Sequence, residues 1–490
     1  MLLGIDFGSG GVKLTVMAKD GAVRGESSSE YPTIYPALGY AEQDPAVWWS
    51  TLRRAVKDAV DSGALIPSEL EAISVDSATH TAVLLDKDCR PLQNAIFWTD
   101  LRCSAEAAEL AAEHFDTIWR KSLHKPSTIW TLPQLLWVWR NQPDIHAKIA
   151  HVLFEKDYVR YLMTGKLATD YIEAVGSMLY DTTRGVWDEE LCSLCGLDTS
   201  VMPPIFRPLD MAGRLTPSAA ADLGLAAGTP VLTGTTDTAL EVFGAGAIAP
   251  GDATVKLATA GRICVVTEGP HPNPYLVCYP HVVEGLWYPG TATRSAASAF
   301  RWYRDTIGCE KYKILDEGAA EITPGCEGLF FNPYLMGELS PYNDDTLRAS
   351  FVGATMKHTK AHFTRAVLEG VAFSLRDGLD VLTGEGIDLT RAAIIGGGAS
   401  SPLWRQITAD ILGIPLTVPE RSDSSYASAM LAGIGAGVFS SHADAAAKCV
   451  RIVAEVTPNP ERHEVYEKHF AVYRQIHDAL KPVYKCISEL

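Results

Sequence analysis

The chain lacks the features that would tie it to a membrane or to a nucleic acid. Its 42 lysines and arginines are outnumbered by 59 aspartates and glutamates, and the formal charge of −17 disfavours an anionic polymer or membrane as a partner. No apolar run reaches the length of a membrane span. No basic region precedes Asp6, so we expect no signal peptide. The sequence therefore predicts a cytoplasmic protein that binds neither nucleic acid nor membrane.

Cysteine is also scarce. Ten cysteines are scattered over 490 residues, which is typical of a reducing compartment. The single C-x-x-C pair, Cys192 and Cys195, has no second pair beside it, so two packed thiols near a helix end are favoured over a zinc or redox site. His358 and His362 have helical spacing without the glutamate of a zinc protease, and we interpret them as a helix start. The segment from Gly398 to Pro402 misses the last glycine of the serine-hydrolase motif.

The sequence does have glycine-rich turns next to apolar strands. The first strand reaches Asp6 and turns through Gly8-Ser9-Gly10-Gly11 toward Lys13. Glycines let backbone N–H groups approach an anion closely and adopt positive φ, Ser9 adds a hydroxyl donor and Lys13 adds a positive charge. Asp6 could hold a magnesium ion through water.

The spacing of this loop fits neither a P-loop nor a dinucleotide loop. In a P-loop a glycine precedes the lysine and a serine or threonine follows it, but Lys13 lies between Val12 and Leu14. In a dinucleotide-binding loop, the position of Lys13 would be the third glycine. The alternation of Val12, Leu14 and Val16 predicts another strand, so the loop joins a β-hairpin. From this loop alone, a phosphate-binding turn and an ordinary tight turn are equally good interpretations.

Related segments follow later in the chain. An apolar strand from Pro230 ends in small residues and one acid, Asp237, which is the candidate base. A second strand, turn and strand begin at Thr254. Gly396-Gly397-Gly398 then leads into a helix with Ser401-Pro402 as its predicted N-cap and first residue. Helix N-termini attract anions. Two halves that each carry a phosphate hairpin predict a duplicated fold with a cleft between the lobes.

These segments, in this order, resemble the FGGY carbohydrate kinases of the actin-like ATPase superfamily over essentially the whole chain, and within that family most closely the xylulokinases. The other segments that agree in order are Glu42-Gln43-Asp44-Pro45 with Trp48-Trp49, Thr79-His80, Trp98-Thr99-Asp100, Lys156-Asp157-Tyr158, Met163-Thr164-Gly165, Tyr334-Leu335-Met336-Gly337-Glu338 with Pro341, and Arg365-Ala-Val-Leu368-Glu369-Gly370. The ordered set is specific for sugar kinases, whereas each piece alone would be weak.

The resemblance implies an α/β, two-lobed actin-like ATPase (ribonuclease H-like) fold, duplicated, with lobes at 1–246 and 247–490 and an interlobe cleft. It implies ATP and Mg²⁺ as cofactors and Asp237 as the base. The implied metal ligands are Asp6 and Asp237; the implied nucleotide ligands are Gly8, Ser9, Gly10, Gly11, Lys13, Thr259, Ala260, Gly261, Gly397 and Gly398; and the implied sugar ligands are Thr79, His80, Trp98, Asp100 and Asp237.

The expected reaction is transfer of the γ-phosphoryl group of ATP to a primary hydroxyl of an open-chain sugar. D-xylulose is the first expectation, and D-ribulose, gluconate, erythritol and glycerol are alternatives. Thr79-His80-Thr81 also looks like the corresponding segment of gluconate kinases. A carboxylate substrate would need a cationic partner, however, and the segments around Thr79, Trp98 and Asp237 bring Arg102 as the one nearby cation. The same segments bring three acids, Asp76, Asp100 and Asp237. His80 is either a sugar-hydroxyl partner or a satisfied core histidine.

The sequence departs from the family at several positions. Ala258 and Ala260 replace glycine and serine in the second loop, Thr238 follows the acid where asparagine is common, and Thr79 and Thr81 replace methionine and glycine. These changes put the exact sugar in doubt. Two other classes stay open: a non-catalytic ATP-binding switch and a sugar-sensing regulator. A regulator usually needs a DNA-binding segment, and we expect none at the N-terminus because Met1 already begins the first strand. A homodimer is compatible with the sequence.

Two helices carry specific expectations. Asp44-Pro45 starts a helix whose apolar stripe runs from Trp48 to Ala59, and Gly63 ends it. A second helix is predicted from Thr359 to Asp380. A glycine inside a helix costs about 1 kcal/mol relative to alanine, so Gly370 is expected to allow another backbone to approach closely.

Overall fold

The structure is a computed structural model that describes residues 1–308 and 311–488. The strands are β1 Leu2–Gly8, β2 Gly11–Met17, β3 Val23–Glu30, β4 Glu42–Gln43, β5 Ala72–Ser77, β6 Ala82–Leu85, β7 Ala95–Ile96, β8 His151–Phe154, β9 Thr169–Asp170, β10 Tyr180–Asp181, β11 Val186–Trp187, β12 Ile205–Phe206, β13 Met211–Arg214, β14 Pro230–Leu232, β15 Thr235–Thr236, β16 Asp252–Leu257, β17 Gly261–Val265, β18 Val277–Pro280, β19 Trp287–Thr293, β20 Phe330–Asn332, β21 Ser350–Val352, β22 Arg391–Ile395, β23 Leu416–Pro419 and β24 Ile452–Val456.

The α-helices connect and cover these strands. They are α1 Pro45–Asp61, α2 Ser104–Glu113, α3 Phe115–Ser122, α4 Thr131–Asn141, α5 Pro143–His146, α6 Glu155–Thr164, α7 Tyr171–Ser177, α8 Glu189–Ser193, α9 Pro217–Leu223, α10 Asp237–Gly244, α11 Ala297–Thr306, α12 Tyr312–Ala320, α13 Lys360–Gly384, α14 Pro402–Leu412, α15 Ser424–Gly435, α16 His442–Cys449 and α17 Pro460–Ser488. Single 3-10 turns lie at Pro67–Glu69, Thr199–Val201, Cys326–Gly328 and Gly397–Ser400.

Two seven-stranded sheets repeat one pattern. The first has the order β13-β14-β5-β1-β2-β3, with β15 also paired to β5, and the second has the order β18-β19-β17-β16-β22-β23-β24. In the first sheet, β1 pairs antiparallel with β2 and parallel with β5. In the second sheet, β16 pairs antiparallel with β17 and parallel with β22. The predicted duplication of a hairpin-containing α/β fold is therefore confirmed.

The chain divides into two compact units, each built from separate segments. Unit 1 contains residues 1–244, 279–285 and 423–450, and unit 2 contains 245–278, 286–422 and 451–490. The first division follows Gly244, and two segments beyond residue 247 belong to unit 1. The lobe boundary at 246/247 stays a prediction. The sequence does not reveal that residues 279–285 and 423–450 return to unit 1.

Local sequence explains how the helices pack. Asp44 caps α1 by accepting a hydrogen bond from the Ala46 N–H at 2.9 Å, and the predicted apolar stripe from Trp48 to Ala59 is buried. In α13, a Cβ built on Gly370 would lie 2.1 Å from the Phe331 carbonyl oxygen. The expectation that this glycine permits close approach of another backbone is confirmed, and the approaching element is β20.

The sequence motifs set aside as non-catalytic also have local explanations. Cys192 and Cys195 are buried free thiols at the end of α8. His362 Nδ1 accepts the Thr359 N–H at 3.2 Å, which closes the N-terminal cap of α13. In the described part of the chain, no helix is both long enough and apolar enough to cross a membrane.

Candidate active site

Three acidic residues of unit 1 lie at the ends of neighbouring strands. Asp6 in β1 is in register with Asp76 in β5, and Asp76 is in register with Thr235 in β15. Asp237 follows β15 directly as the first residue of α10. Because these strands are parallel, their carboxyl ends meet at one edge of the sheet, the usual position of ligand sites in α/β sheets. The fold thus brings Asp6 and Asp237, predicted from separate motifs, into one acidic cluster.

Burial and mutual repulsion raise the pKa values of two acids in this cluster. Burial, and then the negative charge of Asp237, raise the pKa of Asp6 to about 7. The pKa of Asp76 is raised well above its usual value by burial and then by Asp6 and Asp237. One oxygen of Asp6 and both of Asp76 are buried without a hydrogen-bond partner within the described residues. A bound cation would lower the energy of these carboxylates.

The donor set fits a hard divalent cation. Carboxylate oxygens are the protein ligands that Mg²⁺ prefers, and Mg²⁺ usually keeps several waters beside one or two carboxylates. Within residues 1–308 and 311–488, no group of three or more His, Cys, Asp or Glu side chains is arranged to hold a metal ion. Asp6 and Asp237 could serve as the one or two protein carboxylates of such an ion.

The first glycine turn is a β-hairpin, as predicted. Gly8 faces Gly11 at the end of the β1–β2 ladder. None of its glycines has a positive φ, so the turn does not use that freedom. A Cβ on Gly11 would lie 2.7 Å from the Ser29 carbonyl oxygen, whereas a Cβ on Gly10 would meet nothing within 4 Å. Gly11 is needed for strand packing, and Gly10 leaves open space beside an exposed backbone.

The two side chains predicted to help bind phosphate at this hairpin differ in their surroundings. Ser9 is exposed, and its carbonyl accepts hydrogen bonds from Thr33 and Gln43. Lys13 Nζ lies 3.1 Å from both Glu26 and Asp423. Burial lowers the pKa of Lys13, but the two carboxylates more than offset this, so its pKa is raised. Lys13 would have to exchange an ion pair to contact a phosphate.

His80 is held on every side. Its φ of +72° is in the left-handed region, which is uncommon outside glycine and often marks a functional site. Its N–H donates to Glu173 Oε1 at 2.9 Å, its Nδ1 lies 2.8 Å from the Gly176 carbonyl, and its Nε2 lies 3.0 Å from the Tyr279 hydroxyl. Trp130 packs edge-on against the ring at 4.7 Å. The environment satisfies both ring nitrogens, as in a core histidine.

Asp100 is also fully engaged. It is completely buried and accepts hydrogen bonds from the Ala41 N–H and from Arg102, whose guanidinium also contacts Glu42 at 2.7 Å. Arg102 additionally lies 4.1 Å above the Tyr40 ring. Asp100 therefore anchors a buried arginine. Its predicted contact with sugar stays a prediction.

The remaining predicted sugar ligands are more accessible. Thr79 and Trp98 are partly buried, and Trp98 packs on Phe97 with the ring centroids 5.8 Å apart. Thr79 precedes His80 and follows Ala78 in the segment after β5, the strand that contains Asp76. Their predicted contact with a sugar stays a prediction.

Unit 2 carries the second hairpin. β16 and β17 pair up to Leu257 and Gly261, and Thr259 and Ala260 at the turn are exposed. The Thr259 carbonyl accepts from the Ala296 N–H at 3.0 Å and from the Ser298 hydroxyl at 2.7 Å, so the turn is fastened to the start of α11. The hairpin therefore presents its turn on a supported backbone.

A glycine turn lies beside that hairpin because β22 runs parallel to β16. Gly396 has a φ of +88°, and a Cβ there would lie 2.7 Å from the Leu257 carbonyl oxygen. Gly398 is buried against Leu257 and Trp404, while a Cβ on Gly397 would meet nothing within 4 Å. The predicted N-cap is confirmed, since the Ser401 hydroxyl oxygen accepts the Trp404 N–H at 3.1 Å. A short 3-10 turn, which was not predicted, separates the glycines from α14.

Sequence reasoning missed several acids close to the cluster. Asp76 is not among the predicted site residues, although the sequence places it at a strand end where binding groups are often presented, and like Asp6 it lies near the end of an apolar strand. Glu155 is buried and accepts the Tyr31 hydroxyl at 3.2 Å. Burial raises its pKa well above the usual value, although the Tyr31 hydrogen bond opposes the shift. Burial likewise raises the pKa of Glu173 to about 8.

Two copies of one sheet pattern, each with an open glycine-bearing hairpin, and an acidic cluster at the strand ends define an actin-like phosphotransferase architecture. The model of the FGGY family of carbohydrate kinases, N-terminal domain, matches residues 1–244, and the corresponding C-terminal domain model matches residues 259–436. The chain belongs to the FGGY family of carbohydrate kinases. It is therefore a sugar phosphotransferase.

Individual relatives match along nearly the whole length. A xylulose kinase of Bacillus subtilis (strain 168) is 31% identical over 98% of this chain and 97% of its own. A xylulose kinase of Escherichia coli (strain K12) is 32% identical over 99% of this chain and 100% of its own. The crystal structure of a "xyloylose kinase from Brucella ovis" has a TM-score of 0.91 at 32% identity, covering 98% of this chain and 99% of that one.

Proposed function

We propose that this chain transfers the γ-phosphoryl group of Mg·ATP to a primary hydroxyl of a pentulose, and that D-xylulose is its preferred acceptor. The observation that carries the proposal is the acidic cluster of Asp6, Asp76 and Asp237 at adjoining strand ends. Similarity to xylulose kinases at 31% and 32% identity over nearly full length supports the choice of sugar.

In this proposal Asp237 accepts the proton of the attacking hydroxyl. Its Oδ1 accepts the Thr238 N–H at 2.5 Å at the start of α10, which holds the carboxylate in one orientation. Asp6 and Asp237 would hold Mg²⁺, which would neutralise the negative charge on the transferring phosphoryl group. The protein otherwise needs only to align donor and acceptor.

The proposed phosphate ligands are the open turns of the two hairpins. Gly8, Ser9, Gly10 and Gly11 form the first, and Thr259, Ala260 and Gly261 form the second, with Gly397 and Gly398 beside it. Clearance at Gly10 and Gly397 supports a close approach of backbone N–H groups to an anion. Lys13 would contribute after exchanging an ion pair with Asp423 or Glu26.

The charge balance at the sugar side favours a neutral polyol. Arg102 is the cation that a sugar carboxylate would use, and it is already bound by Asp100 and Glu42. His80, Thr79, Trp98 and Asp100 are the proposed sugar ligands. The hydrogen bond between His80 Nε2 and the Tyr279 hydroxyl could be exchanged for one to a sugar hydroxyl, which acts as donor and acceptor.

A coupled ADP-release assay over D-xylulose, D-ribulose, L-ribulose, glycerol, erythritol and gluconate tests the proposal. We expect the highest kcat/KM for D-xylulose and a requirement for Mg²⁺. Preference for gluconate would overturn the pentulose assignment and leave the family intact. ADP release that does not depend on any sugar would favour an ATP-binding switch instead. A cytoplasmic location and a homodimer stay predictions, and light scattering after size-exclusion chromatography tests the second.

A further inference from the structure

A group of four charged side chains is completely buried in unit 1. Lys156, Asp157, Arg160 and Asp170 each have an exposure of 0%. Lys156 Nζ lies 2.6 Å from Asp157 Oδ1 and 2.8 Å from Asp170 Oδ2, and Arg160 Nη1 lies 2.9 Å from Asp157 Oδ1. Two cations balance two anions, as buried charges require. Burial lowers the pKa of Lys156, but Asp157 and Asp170 more than offset this, so the ammonium keeps its charge.

Asp170 connects this charged group to two other segments. Its Oδ1 accepts the N–H groups of Ile172 at 3.0 Å and Glu173 at 3.3 Å, and so caps the N-terminus of α7. The same oxygen accepts the Thr235 hydroxyl at 2.8 Å. The other oxygen, Oδ2, forms the ion pair with Lys156 and has no hydrogen bond among the described residues. Three hydrogen bonds to Oδ1 and one ion pair to Oδ2 thus connect Asp170 to α7, β15 and Lys156.

Each connected segment leads to a proposed site residue. Thr235 lies in β15, two residues before Asp237. The first residues of α7 lead to Glu173 and Gly176, which hold the main-chain N–H and the ring of His80. A Cβ on Gly176 would lie 2.6 Å from the His80 ring, so this part of α7 and the histidine are in close contact.

We propose that Asp170 is a positioning residue that couples the base Asp237 to His80 on the sugar side. The inference rests on the proposed function, because it assigns the acid and the histidine the roles given above. Asp170 contacts neither reacting group. Its hydrogen bond to Thr235 sets where the strand before Asp237 lies relative to α7. A displacement of about 1 Å at a catalytic group can cost about 100-fold in rate.

The chain offers a matched pair of variants for the test. Thr235→Val keeps the shape of the side chain and removes the hydroxyl that reaches Asp170. Thr236→Val makes the same change one residue later, where the buried hydroxyl has no hydrogen-bond partner among the described residues. Both residues lie in β15 and both are fully buried. Thr235→Ser restores the hydroxyl and serves as the rescue variant.

We expect Thr235→Val to lower kcat about tenfold. ATP affinity by calorimetry should stay within about twofold, since the phosphate turns are untouched. Thr235→Ser should recover most of the kcat, and Thr236→Val should match the wild type. Thermal midpoints of all three variants report any general loss of stability. If the valine variants do not fold, the pair Thr235→Ala and Thr236→Ala repeats the comparison.

Equal kcat values for Thr235→Val and Thr236→Val would overturn the positioning role. So would a kcat loss that serine does not rescue. Asp237→Asn, measured in parallel, separates this failure from a failure of the proposed function. Loss of turnover in Asp237→Asn together with no effect of Thr235→Val would leave the base in place and remove only the role of Asp170.

Discussion

At the scale of single residues, some polar groups of the proposed site already contact other protein groups, and other positions have free space around them. Asp100, His80 and Lys13 have protein partners on their polar atoms, whereas Gly10 has clearance around it. Substitutions at open positions should change ligand binding with little effect on folding. Substitutions at occupied positions should change both.

The first residue-scale prediction concerns the base. Asp237→Asn should lower turnover by about 10² to 10⁴, the usual contribution of a general base, because an amide cannot accept the proton. ATP binding should persist, since the phosphate turns remain. Steady-state kinetics and calorimetric titration measure the two quantities. A variant that keeps most of the wild-type turnover would remove Asp237 from this role.

The second residue-scale prediction concerns the first hairpin. Gly10→Val should weaken ATP binding, because a branched side chain would fill the space through which the backbone approaches a phosphate. Stability should be nearly unchanged, since a Cβ there meets nothing within 4 Å. Gly269→Val is the matched control, because that glycine is equally unhindered and lies outside the proposed site. Equal ATP affinity in the two variants would mean that the hairpin is an ordinary turn.

At the scale of elements, close packing overrides helix propensity. α13 contains Gly370 against β20 and ends at Gly384. Alanine is favoured over glycine in a helix by about 1 kcal/mol. At Gly370 a Cβ would lie 2.1 Å from the Phe331 carbonyl oxygen, whereas at Gly384 it would meet nothing within 4 Å. At Gly370, packing against β20 therefore opposes the helix propensity that favours alanine, whereas at Gly384 helix propensity acts without a packing conflict.

We expect Gly370→Ala to destabilise the protein by about 1–3 kcal/mol, since the helix must move away from β20. Gly384→Ala should be neutral or stabilise by up to about 1 kcal/mol. Urea unfolding midpoints with matched slopes give the comparison. A stabilising Gly370→Ala would show that the two elements can separate without loss.

At the scale of the whole molecule, buried carboxylic acids make stability depend on pH. Burial raises the pKa of Glu338 and of Asp377 to about 7, in addition to Asp6 at about 7 and Glu173 at about 8. An acid whose pKa is higher in the folded state stabilises the fold fully below its unfolded pKa and loses this contribution as the pH rises through the folded value. The negative charge of the chain adds repulsion in the same direction.

Stability in metal-free buffer should therefore fall as the pH rises from about 4, the unfolded pKa of these acids, to about 8, the highest of their folded values. Asp6→Asn should reduce this fall, and should make the protein more stable than the wild type at pH 8.5 by about 1–2 kcal/mol, because it removes a carboxylate that is buried and also repelled by Asp237. Asp58→Asn, an exposed position on α1, is the control and should leave the slope unchanged. Denaturant midpoints across this range measure the effect, and identical slopes for Asp6→Asn and the wild type would contradict it.

Local sequence was enough to specify the features that depend on neighbours along the chain. Alternating apolar residues around glycine specified both hairpins, and Asp44-Pro45 and Ser401-Pro402 specified helix starts, because strand alternation, turns and caps are local interactions. The order of the motifs was enough to indicate the family and to single out Asp6 and Asp237.

The contacts between residues far apart in the chain depend on how the chain folds. Strand register placed Asp76 beside Asp6. The return of residues 423–450 to unit 1 gave Lys13 its partner Asp423. Arg102, which the sequence offers as a cation for a substrate, is buried in an ion pair with Asp100. These outcomes depend on long-range packing and desolvation, whose energies are set by residues far apart in the chain and therefore have no local signature.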